Sequence, residues 1–148
     1  MAQDVRSKEL ILASIAGKIK VVKLLLFSSQ GSAAQVVDCD FRGQFGQTAL
    51  HHAVVLQNGF DTDLCSVLLQ AGAKLTIVDD AKNSPLHVAV KMNKLDVIQL
   101  FVDKCSAEDI LLLLKLKNEQ GFNPIELAKK HDHTGLQRDL ENLYIKLK

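Results

Sequence analysis

Between residues 79 and 105, apolar side chains fall first at Leu86, Ala89 and Val90, then at Val97, Ile98, Leu100, Phe101 and Val102. The i, i+3, i+4 spacing of the first set makes one apolar face of a helix. Ser84 followed by Pro85 marks its start. The hydroxyl can accept an orphan backbone N–H, and proline lacks a donor that would find no partner there. Asn93 breaks the pattern and tolerates the left-handed conformation that ends helices. A second helix is predicted from about Leu95. With turn formers from Asp79 to Asn83, the stretch reads turn, helix, tight loop, helix. Further on, Ser106 and Asp109 open a capping-like start to the apolar run Ile110 to Leu114, which predicts a short extra helix over 107–114. Four consecutive leucines cannot share one side, so this helix is expected to be sandwiched between units, the alternative being an exposed apolar patch. Leu136, Leu140 and Leu143 make a last helical stripe.

The pattern repeats. Gln47-Thr48-Ala49-Leu50-His51-His52-Ala53 returns as Asn83-Ser84-Pro85-Leu86-His87-Val88-Ala89, 36 positions later. A period of roughly 20–50 residues signals a stacked architecture. Such a stack buries one continuous core and offers a long concave face rather than a deep pocket, which points toward protein binding.

The unit over 79–105 resembles an ankyrin repeat, whose pattern reads D-x-x-G-x-T-P-L-H-x-A-A-x-x-G, then a second helix rich in Val and Leu, then G-A. Residues 43–73 carry it again in Gly46, Thr48, Leu50, His51, Ala53, Leu68, Leu69, Gly72 and Ala73. Lys82 stands where the turn glycine belongs, Ala49 replaces the proline, and Cys105 replaces the closing glycine. Weaker copies flank these. One keeps Gly121, Pro124, Ile125 and Ala128, with Glu126 in the histidine position; the other keeps Leu10, Ala13, Gly17, Val21 and Leu24-Leu25. The alanines at 13, 53, 89 and 128 are separated by 40, 36 and 39 positions, against about 33 in ankyrin repeats, so every junction or loop carries extra residues. The resemblance implies an all-α ankyrin-repeat solenoid of stacked helix-turn-helix units with hairpin tips. Residues 1–148 are expected to form one domain, with units at about 6–29, 43–75, 79–105 and 118–144 and inserts at 28–44 and 105–117. End units pack on one side only, so their outer faces should be polar; Lys129, Lys130, Gln137, Arg138 and Glu141 suit that role in the last one.

Composition agrees with closely packed helices. Apolar residues make up 47% of the 148 positions, aromatics only 5%, and tryptophan is absent. Eighteen basic and seventeen acidic side chains leave a formal charge of +1. A nucleic-acid binder would show a far stronger basic stripe, so none is expected as partner. Three cysteines without CxxC spacing make neither a disulfide framework nor a zinc site. The polar start MAQDVRSKEL lacks a signal-peptide core, and the longest apolar run is far short of the roughly 20 residues that span a bilayer. The chain is expected to be a monomer in the cytoplasm, with the nucleus open, and without a membrane partner.

Candidate chemistry is sparse. His51 and His87 recur at equivalent positions, and the resemblance implies that each braces a neighbouring turn; His52 falls outside that pattern. His131, Asp132 and His133 are consecutive, and on a helix adjacent residues point about 100° apart, so they cannot converge on one ion. They are expected to join the last two helices. No G-x-S-x-G, HExxH or phosphate-cradling glycine loop is present. No catalytic residue, metal or cofactor is assigned.

The resemblance places a partner-binding surface on variable turn and first-helix positions. These are Gln44, Phe45, Gln47, Val55 and Leu56 in the second unit. In the third they are Asp80, Ala81, Asn83, Lys91, Met92 and Lys104. Phe45 and Met92 would be the apolar anchors, unless Phe45 folds onto the 28–44 loop. The expected function is binding of a partner protein as an inhibitor or adaptor in signalling, a transcription factor being one class of target. A faint likeness to inhibitors of NF-κB-type factors supports it. The alternatives are a regulatory or targeting module of a larger enzyme, and a secreted pathogen or viral effector acting on host proteins.

Overall fold

The computed structural model describes residues 2–27, 37–57 and 59–148. Most of the 28–44 insert therefore lies outside the described residues. Nine α-helices follow in chain order among them: α1 (Ala2–Ile15), α2 (Ile19–Phe27), α3 (Ala49–Val54), α4 (Asp61–Gln70), α5 (Pro85–Lys91), α6 (Leu95–Lys104), α7 (Ala107–Lys115), α8 (Pro124–Lys130) and α9 (Thr134–Leu147). No strand occurs among the described residues.

Helices of six or seven residues are too short to be stable alone in water, so packing must hold them. Each carries the same start. The side chains of Thr48, Ser84 and Asn123 accept the backbone N–H three residues on, and His51, His87 and Glu126 reach back to the cap's own N–H. Pro85 and Pro124 occupy the first helical position. The ends match too. Gly17, Asn93 and Asp132 take positive φ of 70°, 54° and 60°. Just beyond them, the N–H groups of Lys18, Lys94 and His133 close onto the carbonyls of Ala13, Ala89 and Ala128 at 2.9 Å each, the closing bond of a left-handed helix stop.

Two layers result. α1, α3, α5 and α8 pack in sequence to form the first, and α2, α4 and α6 the second. Ala13, Ala53, Ala89 and Ala128 are all buried; small side chains let the helices approach closely. Leu10, Leu50, Leu86, Leu68 and Phe101 fill the space between the layers.

α7 is the chief departure. Gly72 turns the chain with φ 99°, but Cys105 in the corresponding place is extended, with φ −106° and ψ 157°. The chain runs straight to Ser106, whose hydroxyl accepts the Asp109 N–H at 3.1 Å and starts α7. Ile110, Leu113 and Leu114 are buried, and α7 packs on α8 and α9. Leu112 does not share that burial. It is 55% exposed, because a helix with neighbours on one flank must turn part of a four-leucine run to solvent.

The two ends differ. Lys129, Lys130, Arg138 and Glu141 on the last pair are exposed, as expected for a terminal face. The first pair instead exposes Val5, Leu12, Ile15, Val21, Leu24 and Phe27. These stand beside exposed Lys8, Glu9, Lys18, Lys20 and Lys23, so the exposed surface of α1 and α2 is mixed rather than polar as expected.

Candidate functional site

The tips between helix pairs share one construction. Gly46, Lys82 and Gly121 donate to the carbonyls of Gly43, Asp79 and Asn118 at 3.0, 2.9 and 2.9 Å, and all three take positive φ. Lys82 adopts the glycine conformation at φ 60°. The Asp79 carboxylate accepts the N–H groups of Ala81 and Asn83, and the Asn118 amide oxygen accepts those of Gln120 and Phe122. Backbone bonds join neighbouring tips: Asp80 N–H donates to the Phe45 carbonyl at 3.0 Å, and Glu119 N–H to the Ala81 carbonyl at 2.9 Å.

The two recurring histidines tie the tips to the helices. The Nδ1 atoms of His51 and His87 accept the backbone N–H of Thr48 and Ser84, at 3.2 Å each. Their Nε2 atoms reach the carbonyls of Asn83 at 2.8 Å and Phe122 at 3.1 Å. A carbonyl only accepts and a backbone N–H only donates, so both rings are neutral with the proton on Nε2. Burial lowers both pKa values, against the carbonyl bonds that raise them. These residues brace the stack. His131 and His133 stack at 6.1 Å in the turn between α8 and α9, and His133 Nε2 bonds the Lys91 carbonyl at 3.1 Å. Among the described residues, no group of three or more His, Cys, Asp or Glu is placed to hold a metal. Burial raises the pKa of all three thiols, that of Cys65 to about 12.

Where α1 meets the first tip, the brace is missing. Ile11, two positions before Ala13, stands where His51 and His87 stand before Ala53 and Ala89. It has no hydrogen bond to offer. Gly43 sits against it instead, so close that a Cβ there would come within 2.9 Å of Ile11 Cδ1. This junction is an apolar seam that opens into a groove of about 560 Å³. Ile11, Leu12 and Ile15 of α1 line it together with Phe41, Phe45, Lys8, Arg42, Gln44, Gln47 and His52. Leu12 is 66% and Phe45 68% exposed, so Phe45 does not fold away. It is held at φ 59°, where a bulky residue is an outlier. Arg42 donates to the Gly46 carbonyl at 3.2 Å and pairs with Asp80 at 3.0 Å. Burial, and then the nearby His51, lower the pKa of His52.

Of the residues assigned from sequence, Gln44, Phe45 and Gln47 come together on this groove. Asp80 and Ala81 lie on the adjacent tip. Val55 and Leu56 follow α3, while Lys91 ends α5 and Met92 caps it; Val55, Lys91 and Met92 are exposed and Leu56 is half-buried. Asn83 is engaged internally: its carbonyl by His51, its side-chain oxygen by the Asn118 amide at 2.9 Å. Lys104 stands apart, lining a separate cavity with Lys74, Cys105 and Asp109. Sequence reasoning did not assign Lys8, Leu12, Ile15, Phe41 or Arg42. The available signal was Leu10-Ile11-Leu12: three consecutive apolar residues on a helix cannot all be buried.

Comparison with known proteins agrees with this construction. The profile for ankyrin repeats (3 copies) matches residues 10–112. NF-kappa-B inhibitor alpha from Homo sapiens is 28% identical over 104 residues, covering 70% of this chain and 32% of that protein. The Gallus gallus protein of that name is 28% identical over 87 residues, 59% of this chain and 26% of its own length. The Rattus norvegicus nuclear factor NF-kappa-B p105 subunit is 31% identical over 117 residues, 79% of this chain and 11% of that protein. The chain thus spans about a third of NF-kappa-B inhibitor alpha. Ankyrin repeats are protein-interaction modules, and with the braced helix pairs, the backbone-linked tips and the profile match in agreement, this chain belongs to the ankyrin-repeat family.

Proposed function

We propose that this chain binds a partner protein through its concave first-helix face and tips, as a single domain of four units, and acts as an inhibitor or adaptor in signalling. The observation that carries the reading is the open apolar groove between α1 and Phe45. A large exposed aromatic held in a left-handed conformation costs stability and contributes no packing, whereas aromatic anchors supply much of the energy of interfaces. The names of the human and rat relatives point to NF-kappa-B, and a transcription factor of that class is the target we propose. The reading needs no catalytic step of this chain's own. No described helix is long and apolar enough to cross a membrane, which suits action in the cytoplasm or nucleus. The test is affinity capture with the intact chain beside a Phe45→Ala/Met92→Ala variant of equal melting temperature. A partner held by the first and lost by the second supports the surface; equal capture by both refutes it.

A further inference from the structure

We infer that the groove between α1 and the first tip receives a short apolar segment of the partner flanked by carboxylates; this rests on the binding face proposed above and specifies what that face selects. The apolar lining is aliphatic and aromatic, Leu12 and Ile15 from α1 and Phe45 from the tip. The charged side chains of the lining are Lys8 and Arg42, both positive. Arg42 already faces Asp80 at 3.0 Å. Lys8 is exposed and makes no ion pair among the described residues. Burial keeps His52 from adding charge, and Gln44 and Gln47 are neutral. The first two helices carry an excess of the same sign: residues 2–27 hold Arg6, Lys8, Lys18, Lys20 and Lys23 against Asp4 and Glu9.

That charge distribution decides between occupants. A basic segment would meet Lys8, which has no ion pair among the described residues, and no acid lines the groove there to receive it; like-charge juxtaposition at an interface is costly. A second copy docked groove to groove would set the same lysines against one another. A small molecule would leave the outer halves of Leu12 and Phe45 wet, whereas small-molecule sites enclose most of their ligand. A protein segment covers both, and a carboxylate beside its apolar residues reaches Lys8.

The test is selection of random displayed peptides of about twelve residues on the immobilised intact chain, followed by fluorescence polarisation of the winners. Enriched sequences should combine Leu, Ile or Phe with Asp or Glu. Phe45→Ser and Leu12→Ser should each weaken them about tenfold or more, as loss of an anchor does. Lys8→Glu should reverse the charge preference, so that lysine-flanked versions of the same peptides now bind better. Enrichment of basic or charge-indifferent peptides that still depend on Phe45 would overturn this inference while leaving the binding face intact. Acidic apolar peptides indifferent to Phe45 and Leu12 would overturn both. Absence of enrichment, or concentration-dependent self-association that Phe45→Ser abolishes, would overturn the inference as well.

Discussion

The Nε2 of His51 lies 2.8 Å from the carbonyl oxygen of Asn83, 32 positions further along the chain. His87 makes the equivalent contact to Phe122, 35 positions on. Each ring thus caps its own helix and holds the tip of the next pair, so one side chain couples local and long-range order.

His87→Ala removes both ends of that link. It leaves the buried Ser84 N–H and the Phe122 carbonyl short of a partner. The expected cost is about 1–2 kcal/mol of unfolding free energy, read by urea denaturation. Unchanged stability would mean the ring contributes little to the brace.

Acid should loosen the stack through the same rings. Burial holds the folded-state pKa of His51 and His87 below the ordinary value, and the unfolded chain titrates near about 6.5. As pH falls through that value, the unfolded chain binds protons first. The stability contributed by the neutral rings is therefore full above it and drains away beneath it. Melting temperature should fall between about pH 7.5 and 5.5, and the His51→Ala/His87→Ala variant should lose most of that slope. An identical slope in the variant would assign the pH dependence to other groups.

The leucine run separates structure from surface. Leu113 is fully buried and Leu112 is 55% exposed. Leu113→Asp buries a charge against α8 and α9, and hydrogen exchange should quicken across residues 118–148 with little change before residue 60. Leu112→Asp should leave exchange near wild type. Equal effects from the two would refute the observed orientation of α7.

Lys82 offers a stabilising change. At φ 60° a lysine carries a backbone penalty that glycine lacks, on the order of 1 kcal/mol. Lys82→Gly should raise the melting temperature by a few degrees. A fall would show that the lysine stem packs in a way that outweighs the penalty.

The helix starts were legible because they are local chemistry. Ser84-Pro85 and Asn93 state their roles in two or three residues, and the structure places cap, first turn and stop there. The exposed face of Leu112 was not legible, since a run of four leucines has no periodicity that names its buried side. The groove was hidden for a different reason. It exists because Ile11 replaces a histidine and Gly43 lets it approach, a relation between residues 32 positions apart. Phe45 could be nominated from its position; Leu12 and Ile15 could not, as nothing in α1 alone tells which leucine meets a tip.

Asp80 and Glu119 donate to the carbonyls of Phe45 and Ala81 through backbone N–H groups, links that do not depend on the side chains at those four positions. Positions such as Phe45, Ala81 and Glu119 are therefore interchangeable as far as these links are concerned, whereas Asp79, Asn83 and Asn118 hold the tips with their side chains and Gly46 has no room for a Cβ beside Arg42 and Asp80. A lineage of such chains could retarget itself by trading tip residues one at a time, and an engineer could graft a foreign recognition loop there without redesigning what lies beneath.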